Sequence, residues 1–533
     1  MMSQRAELII GFVGPAGVRL NDLVKATSDH LKLFTYRSVE IRLSKLLENY
    51  TGWTVAKSKS ENERILHGQQ MGRDFRRSLS DGAALAMAAL VAIREQRAEL
   101  SGNPDKPADS VAYLLNQLKH PKEVALLRQI YGPSFVLLAG HATKRMRTAT
   151  LIQRIAASEE RSVESGDTAR ADQIIQIDEE EPGATGPDDL GQNTRNTYPL
   201  ADVFVNLDAP SGELKVTRFL DLLFGHPFRT PSPDEVAMYH ASAGALRSSD
   251  ESRQVGAVIV DVSRNKEKET SNVDLIATGM NEVPKRGGGF YWDGDTYSPD
   301  ARDQWLIAYR NDDRALTVKK DVLRELLEVL KTKGWFNESV KSTQTPELLK
   351  ELLRDSLKGT QFMNIGEFQR QVHAEMAALI DAARRGVAVD GRTMYVTTFP
   401  CHNCAKHIIA AGLRQVVYLE PYPKSRAVML HDEEIDLESP SGVPNKDDPR
   451  VIFSSYTGVA PRQYQRLFSM LVRGKKGGGL LLKEWDNGRP SLAPQHLMRN
   501  APASYLLAER QELSNLPTDK YKWDPPAVCP RES

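Results

Sequence analysis

Two short motifs, His373-Ala374-Glu375 and Pro400-Cys401-His402-Asn403-Cys404, decide the fold of the second half of this 533-residue chain. A helical pattern runs from Val372 to Arg385, a strand pattern from Thr393 to Thr398, and a second helical pattern from His402 to Ala411. We therefore expect the histidine of the first motif and the first cysteine of the second to stand at the starts of two helices, with one strand between them.

The residue types at these helix starts are those of a catalytic zinc site. Two thiolates and one neutral imidazole supply three ligands to a tetrahedral Zn²⁺ and leave the fourth position for water. A helix start favours the thiolate because backbone N–H groups point at the sulfur. The sequence thus predicts that His373, Cys401 and Cys404 hold Zn²⁺. Glu375 stands two residues from the histidine and is expected to transfer protons rather than to bind the metal. A redox pair or a structural zinc knuckle is the alternative.

The combination of H-x-E with P-C-x-x-C is the signature of zinc deaminases. Ahead of it, the stretch Ser252-Arg253-Gln254-Val255-Gly256 and the later Gly279-Met280-Asn281 complete a pattern that resembles the deoxycytidylate deaminase family. The resemblance implies a cytidine-deaminase-like α/β/α zinc domain in which activated water attacks C4 of cytosine, Glu375 carries the protons and Asn281 contacts the sugar. An asparagine just past a strand is also a common turn residue, so a purely structural role stays open.

Phosphate recognition requires cations or N–H groups near the rim of such a site. The candidates are Arg253, Lys285, Arg286 and Lys424, and each would serve equally well as a solvated surface charge. Two further histidines, His402 and His407, are expected to pack or to face solvent rather than to bind the metal.

The first half opens with an apolar run, Glu7 to Val13, then a glycine-containing turn and an amphipathic stretch from Arg19 to Leu33. The run Gly11-Phe12-Val13-Gly14-Pro15-Ala16-Gly17-Val18-Arg19 resembles the phosphate loop of P-loop nucleotide kinases, but Val18 and Arg19 stand where that loop has Lys and Ser or Thr. The resemblance makes Gly14 and Gly17 candidates for nucleotide binding without phosphoryl transfer. A glycine-rich turn in a scaffold that binds no nucleotide is the alternative.

Strand patterns alternate with helical patterns through this half, which predicts an α/β fold with a parallel sheet. Apolar strand patterns recur at Ser134 to Gly140 and Tyr198 to Leu207, and helical patterns cover Asp81 to Leu100 and Val111 to Ile130. The expected division is a degenerate P-loop nucleotide-kinase-like domain (1–225), a zinc-dependent deoxycytidylate deaminase domain (226–473) with an insertion over 282–372, and a C-terminal extension (474–533).

Composition excludes several classes of protein. Lys plus Arg equals Asp plus Glu at 70 each, so the chain lacks the overall positive charge of proteins that coat nucleic acids. Its longest apolar run, Ala83 to Ile93, is far shorter than the roughly 20 residues that cross a bilayer. Three cysteines are too few for a disulfide framework in a chain of this length. Location in the cytoplasm, away from membranes, is the expectation.

A P-loop-like domain ahead of a deaminase domain with a long insertion resembles the bacterial anti-phage dCTP deaminases. The resemblance implies conversion of dCTP and dCMP to dUTP and dUMP, depletion of the dCTP pool during phage infection, and a homo-oligomer. It also implies a regulatory nucleotide at the N-terminal domain and, in some members, an inhibitory small RNA. The alternatives are a housekeeping dCMP deaminase of pyrimidine salvage, a polynucleotide cytidine deaminase, and a zinc-bearing scaffold that binds nucleotides without turning them over.

Overall fold

The structure is a computed structural model that describes residues 7–56, 60–179, 190–208, 212–226, 229–265, 270–293, 295, 302–357, 360–422, 425–437, 439, 448–469 and 502–523. Within these ranges, no helix combines the length and the apolar character needed to cross a bilayer.

The strands are numbered along the chain. They are β1 (Leu8–Val13), β2 (Arg37–Arg42), β3 (Val111–Asn116), β4 (Phe135–His141), β5 (Val203–Asn206), β6 (Gly256–Asn265), β7 (Thr270–Met280), β8 (Thr393–Thr398), β9 (Gln415–Glu420), β10 (Ile435–Asp436), β11 (Val451–Ser455) and β12 (Gly458–Val459).

The α-helices are numbered in the same way. They are α1 (Leu20–Leu33), α2 (Leu43–Leu46), α3 (Glu61–Leu79), α4 (Ala84–Ser101), α5 (Pro121–Tyr131), α6 (Lys144–Ser158), α7 (Gly166–Glu179), α8 (Thr194–Thr197), α9 (Gly212–Leu223), α10 (Pro233–Ala245), α11 (Asp303–Arg310), α12 (Arg314–Thr332), α13 (Glu338–Ser342), α14 (Thr345–Glu351), α15 (Ala374–Arg384), α16 (His402–Ala410), α17 (Ala427–Leu430), α18 (Tyr464–Phe468) and α19 (Pro502–Leu513).

The first sheet has the strand order β12-β5-β4-β1-β3-β2 in the described part of the chain. Strands β1 to β5 are parallel, and the short β12 is antiparallel to β5. Every residue of β1 is buried, because helices cover both faces of the sheet. The expectation of an α/β fold with a parallel sheet is therefore confirmed for this half.

The helix expected over Val111 to Ile130 is wrong. Its first part is β3, which pairs with β1 and β2, and only its second part is helical, as α5. A short continuous apolar run such as Val111 to Leu115 fits a buried parallel strand as well as a buried helix. Pro121 then marks the helix start, because proline suits the first helical position and His120 caps the helix.

The second sheet has the order β10-β11-β9-β8-β6-β7 in the described residues. Strands β6 and β7 form an antiparallel hairpin, β8 is antiparallel to β6, and β8, β9, β11 and β10 follow in parallel. Strand β8 confirms the strand expected over Thr393 to Thr398. Helix α15 packs on β6 and β7, and α16 connects β8 to β9.

The two ends of the expected insertion meet in space. Glu282 and Val372 form an antiparallel bridge, with N–H to carbonyl distances of 3.2 and 3.0 Å. Between them lie helices α11 to α14, which have a small core of their own around Leu323, Leu327 and Leu349. The insertion therefore leaves and re-enters the second sheet next to His373.

The C-terminal helix α19 packs on the first half of the chain through a buried ionic network. Both terminal nitrogens of Arg97 lie 2.7 Å from the carboxylate of Glu509, and Nε of Arg97 donates to Glu7 at 2.9 Å. The hydroxyl groups of Tyr131 and Tyr505 donate to Glu509 and Glu7. Burial opposes the charge of Arg97, but hydrogen bonds and charges of these carboxylates outweigh it and raise the pKa of Arg97. Part of the expected C-terminal extension thus belongs spatially to the first half.

The two halves also share contacts just after the expected domain boundary at residues 225 and 226. Helix α10 begins there, with Ser232 as its cap. Its buried Glu235 lies 2.7 Å from Arg218 of the first half and accepts the N–H of Val459, a residue of β12. A strand and an ion pair therefore hold the second half against the edge of the first sheet.

We predict that Glu509→Ala lowers the free energy of unfolding by about 3–5 kcal/mol, because it leaves the buried Arg97 short of its main counter-charge. Urea denaturation followed by circular dichroism measures this change. The control is Glu99→Ala on the exposed surface of α4, which should change stability by less than about 0.5 kcal/mol. Equal stability of the two variants would contradict the role given to this network.

Candidate metal centre and active site

The three expected metal ligands come together at two helix starts. Nδ1 of His373 lies 3.3 Å from Sγ of Cys401 and 3.4 Å from Sγ of Cys404. His373 is the N-cap of α15 and Cys401 is the N-cap of α16, both in extended backbone conformation, and Cys404 is buried in the first turn of α16. All three ligand atoms lie within 4.8 Å of one another. A single metal ion could therefore bind all three ligand atoms.

The distances suit zinc. Zn–N bonds of about 2.0–2.1 Å and Zn–S bonds of about 2.3 Å at tetrahedral angles place nitrogen and sulfur about 3.6 Å apart. The two nitrogen-to-sulfur distances of 3.3 and 3.4 Å are close to that value. His373, Cys401 and Cys404 would therefore hold Zn²⁺ with only a small expansion of the cluster.

The charges of the cluster also favour a cation. Hydrogen bonds from Cys404 and His373 lower the pKa of Cys401 to about 4, while the hydrogen bond with Cys401 and burial raise the pKa of Cys404. The hydrogen bond to Cys401 raises the pKa of His373 to about 9. One proton on the imidazole thus balances one thiolate, and a divalent cation would stabilise both thiolates while leaving the ring neutral.

The other ring nitrogen of His373 faces a second polar group. Its Nε2 lies 3.4 Å from Oε1 of Gln369, which helps to fix the ring so that Nδ1 faces the sulfurs. The two other histidines of this region do not join the cluster of ligand atoms formed by the described residues. His407 instead contacts the carbonyl of Asn403 at 2.7 Å. His402 is half-buried.

Glu375 lies in the first turn of α15, beside the cluster, and is only 4% exposed. Burial, followed by the negative charge of Cys401, raises the pKa of Glu375 to about 7. A buried carboxyl group at this place is within reach of the metal ligands without being one of them. The position is the one expected for a residue that transfers protons.

Two glycines allow helices to lie directly on the second sheet, and sequence reasoning did not identify them as site residues. A Cβ on Gly279 would lie 2.1 Å from the carbonyl oxygen of Ala374, in the first turn of α15. A Cβ on Gly256 would lie 1.9 Å from the carbonyl oxygen of Ala241, in α10. The Gly-x-Asn pattern was a signal for Gly279, but it was interpreted only through its asparagine. The absent side chain sets the distance between β7 and the helix that carries Glu375.

Asn281 lies one residue before the bridge from Glu282 to Val372, and therefore close in space to His373. Its side chain is 7% exposed and already makes two hydrogen bonds: Oδ1 accepts the N–H of Val255 at 2.7 Å, and Nδ2 donates to the carbonyl of Arg253 at 2.8 Å. These bonds hold the turn before β6. The side-chain oxygen keeps a second lone pair and the nitrogen keeps a second N–H. Sugar binding by Asn281 therefore stays a prediction beside this structural role.

The candidate cations have different surroundings. Arg253 lies 3.6 Å from a carboxylate oxygen of Glu420 and 5.8 Å from the centre of the Tyr422 ring. Lys285 pairs with Asp295 at 2.8 Å. Arg286 is exposed, and Lys424 lies outside the described residues.

Tyr422 was not identified from the sequence, although it follows β9 in the run that contains Lys424. Burial and then the charge of Cys401 raise the pKa of its hydroxyl group.

The glycine-rich turn of the first half has the geometry of a tight turn between β1 and α1. Gly17 has a φ of +87°, and a Cβ there would lie 2.6 Å from the carbonyl oxygen of Arg147. Only glycine fits such a position without displacing α6. A Cβ at Gly14 would lie 3.1 Å from the carbonyl oxygen of Gly140, which is a tight but less restrictive contact.

A carboxylate of the chain itself binds this turn. The N–H of Ala16 donates to Oδ2 of Asp178 at 2.7 Å, and Nζ of Lys119 donates to Oδ1 of Asp178 at 2.7 Å and to the carbonyl of Gly14 at 3.1 Å. Thr194 donates to the same carboxylate. Asp178 therefore accepts the hydrogen bond of the Ala16 N–H, which the resemblance to a phosphate loop would assign to a nucleotide phosphate. Nucleotide binding by Gly14 and Gly17 stays a prediction.

We predict that the purified protein contains about one zinc ion per chain and that His373→Ala and Cys404→Ala each remove it, because two remaining ligands bind zinc far more weakly than three. Inductively coupled plasma mass spectrometry measures the metal content. His407→Ala, which changes a neighbouring histidine outside the cluster, should keep the metal. Retention of zinc by Cys404→Ala would contradict the assignment of ligands.

We also predict that Gly279→Ala disturbs the metal centre without changing any ligand. The added methyl group would push α15 away from β7, which should lower the free energy of unfolding by about 1–3 kcal/mol and reduce the zinc content. Denaturation and metal analysis test both effects. Gly68→Ala, in α3 with no atom within 4 Å of the new Cβ, should be neutral or slightly stabilising. Full zinc content in Gly279→Ala would exclude this positioning role.

Comparison with known proteins identifies the part of the chain that contains this centre. Residues 231–420 match the family model described as the cytidine and deoxycytidylate deaminase zinc-binding region. The deoxycytidylate deaminase of Enterobacteria phage T2 is 45% identical over 58 residues, which are 11% of this chain and 31% of the phage protein. The deoxycytidylate deaminase of Mus musculus is 43% identical over 125 residues, which are 23% of this chain and 53% of the mouse protein.

The match thus spans from about a third to about half of the length of these two relatives. Among solved structures, the dCMP deaminase of the cyanophage S-TIM5 in apo form aligns with a TM-score of 0.21 and 14% identity, covering 43% of this chain and all of that chain. The identification rests on the family model and the sequence matches. Residues 231–420 are therefore similar to the zinc-binding region of cytidine and deoxycytidylate deaminases.

Proposed function

We propose that the chain deaminates deoxycytidine nucleotides hydrolytically, converting dCTP and dCMP to dUTP and dUMP with release of ammonia. The observation that carries this proposal is the buried carboxyl group of Glu375 beside a His/Cys/Cys cluster at two helix starts. A structural zinc site or a nucleotide-binding scaffold needs ligands but has no use for such a carboxyl group. A hydrolytic deaminase needs it at this position.

The chain's own residues account for the proton transfers of the reaction. Zinc, when bound, would lower the pKa of water and so supply the nucleophile. Glu375 accepts the proton of that water and delivers it to N3 of the cytosine ring, which prepares C4 for attack. After the attack, the Glu375 carboxylate takes the proton of the new hydroxyl group on C4 and delivers it to the amine, so that the C4 carbonyl forms as the C4–N4 bond breaks and ammonia leaves. Burial of Glu375 keeps bulk water away from these transfers.

The surroundings of the cluster and the relatives support the proposed substrate class. The relatives from phage T2 and from mouse are deoxycytidylate deaminases. Asn281 lies beside His373, and its side-chain oxygen and nitrogen can each form one more hydrogen bond, which suits a sugar hydroxyl group. Arg253 at the rim, next to Tyr422, is a candidate for phosphate binding.

Depletion of the dCTP pool as defence against phage is the role we favour, on the resemblance of most of the chain to bacterial anti-phage dCTP deaminases. The same resemblance supports a homo-oligomer, a regulatory nucleotide at the N-terminal domain and an inhibitory small RNA as further proposals. Housekeeping deamination of dCMP would use the same metal centre. It would leave the first half of the chain without a catalytic purpose, and the preference for dCTP over dCMP distinguishes the two roles.

The test is an assay of the full-length, zinc-loaded protein on dCMP, dCTP, CTP, cytidine and a cytosine-containing single strand. Chromatography of uracil products and release of ammonia measure the reaction. We expect activity on dCTP, with or without dCMP, and a decrease of about 10²- to 10⁴-fold in Glu375→Gln, because the carboxamide cannot transfer the protons. The exposed Glu433→Gln of the same domain is the matched control.

The substrate pattern and the variant decide between the roles. Activity on dCMP alone would favour salvage, and activity on the single strand would favour a polynucleotide deaminase. Full activity of Glu375→Gln, or inactivity of the wild-type protein on all five substrates, would refute the proposed chemistry.

A further inference from the structure

A cavity of about 340 Å³ lies between the two halves of the chain, and we call it the interdomain cavity. The first half contributes the turn residue Pro15, the end of β4, and side chains from α6, α7 and α8. The second half contributes the end of β9, the loop before α16 and the segment that leads into α17. Its volume is within the range of small-ligand sites in proteins, about 300–1,000 Å³. None of the metal ligands, nor Glu375, is among the described residues that line it.

The wall from the second half is aromatic. Phe399, Tyr418 and Tyr422 line it, and the rings of Phe399 and Tyr418 pack edge to face with centres 4.9 Å apart. All three side chains are half-buried. Nucleobases stack on aromatic side chains of this kind, because every base has a flat π-face. We call these three residues the aromatic wall, and they suit a ligand with a flat ring.

The charged side chains on the wall from the first half already have partners. Arg147, which is only 7% exposed, lies 2.7 Å from the carboxylate of Glu179. The other arginine of this wall, Arg195, also has a partner within the chain. Burial and then the charge of Arg147 lower the pKa of His141 to about 4, so His141 is uncharged near pH 7. Because neither guanidinium group lacks a partner, an uncharged ligand suits this wall better than an anion.

Tyr198, on the same wall, has a buried hydroxyl group without a hydrogen-bond partner among the described residues. The residue is only 8% exposed, and burial raises the pKa of its hydroxyl group, which therefore keeps its proton at pH 7. Leaving a buried hydroxyl group unbonded costs free energy. A ligand that brings an acceptor, such as a ring nitrogen or a carbonyl oxygen of a nucleobase, would remove this cost.

We propose that the interdomain cavity binds a nucleoside, with its base against the aromatic wall and an acceptor atom on the hydroxyl group of Tyr198. The aromatic wall selects a ligand with a flat face, and Tyr198 selects one with an acceptor. The pair formed by Arg147 and Glu179 selects against added phosphate groups, because a phosphate would have to displace the carboxylate. This site is separate from the metal centre and from the turn that Asp178 binds.

The aromatic wall connects the cavity to the metal centre. Phe399 and Pro400 directly precede the metal ligand Cys401, and Ser425, another lining residue, donates to the carbonyl of Pro400 at 2.8 Å. A ligand in the cavity therefore touches the loop that carries Cys401. Any effect on the rate of deamination rests on the proposed function, whereas the binding itself does not.

Isothermal titration calorimetry on the full-length, zinc-loaded protein tests the proposal, with thymidine and adenosine as probes. Neither probe has the cytosine amine, so neither is a substrate of the proposed reaction. We expect at least one of them to bind. Val428→Trp, which fills the cavity from α17, should weaken that binding at least about tenfold. Tyr198→Phe, which removes only the hydroxyl group, should weaken it about 3- to 10-fold.

The controls separate lost contacts from lost structure. Met429→Trp makes the same change at the neighbouring position of α17, which is 64% exposed, and should bind as the wild type does. Tyr198→Phe should keep or raise the melting temperature, because it removes a buried hydroxyl group that has no partner in the described structure. A lower melting temperature would instead indicate a structural role and contradict the assignment of Tyr198. Circular dichroism and zinc content show which variants are folded.

The outcomes decide between this site and its alternatives. Absence of binding by both nucleosides, or unchanged affinity in a folded Val428→Trp or Tyr198→Phe variant, would overturn the proposal. Tighter binding of dTTP than of thymidine, weakened by Val428→Trp, would show a phosphate-selective cavity and would also overturn it. Nucleoside binding by a protein that deaminates none of the cytosine substrates would refute the proposed function and leave this site in place. Deamination of dCTP by a protein that binds neither nucleoside would do the reverse.

Discussion

Helix α15 lies directly on strand β7 because Gly279 has no side chain, and the metal centre depends on that contact. The carbonyl oxygen of Ala374 occupies the space that a Cβ at Gly279 would take. The helix begins there with His373 as its cap and Glu375 in its first turn. Strand β8 leads to Cys401 at the start of α16, and β6 lies between β8 and β7 in the sheet. Moving α15 outward by the width of a methyl group would separate the imidazole from both sulfurs.

The charges of His373, Cys401 and Cys404 explain how these side chains can lie so close together. Ligand atoms of the half-buried Cys401, the buried Cys404 and an imidazole lie within 4.8 Å of one another, and the hydrogen bond between the two sulfurs lowers the pKa of Cys401 and raises the pKa of Cys404, so that one sulfur is ionised at the expense of the other. A cation removes this conflict. The first half of the chain follows the same rule at another place, where Arg97 lies between the carboxylates of Glu509 and Glu7 and fixes the C-terminal helix. In both clusters, an opposite charge offsets the free-energy cost of burying ionisable groups.

The sequence predicted elements well where periodicity and helix starts agree. The pattern for β8 matches the strand in the structure, and the two motifs stand at the starts of α15 and α16. The pattern at Val111 to Ile130 failed because a buried parallel strand and a buried helix are both uniformly apolar over five or six residues. The bridge between Glu282 and Val372 joins residues about 90 positions apart, and no local pattern carries such a pairing.

The sequence by itself determined the chemistry of the site: an imidazole, two thiols and a carboxyl group at fixed spacings from two helix starts, because residue type and local periodicity are written in the chain. The tertiary structure alone decided which distant groups meet. It placed Asp178 on the glycine-rich turn, bound the amide of Asn281 to the backbone of Arg253 and Val255, and brought α6 and the loop before Cys401 to opposite walls of one cavity. Such contacts depend on how sheets and helices pack, and packing is a property of the whole chain rather than of any segment.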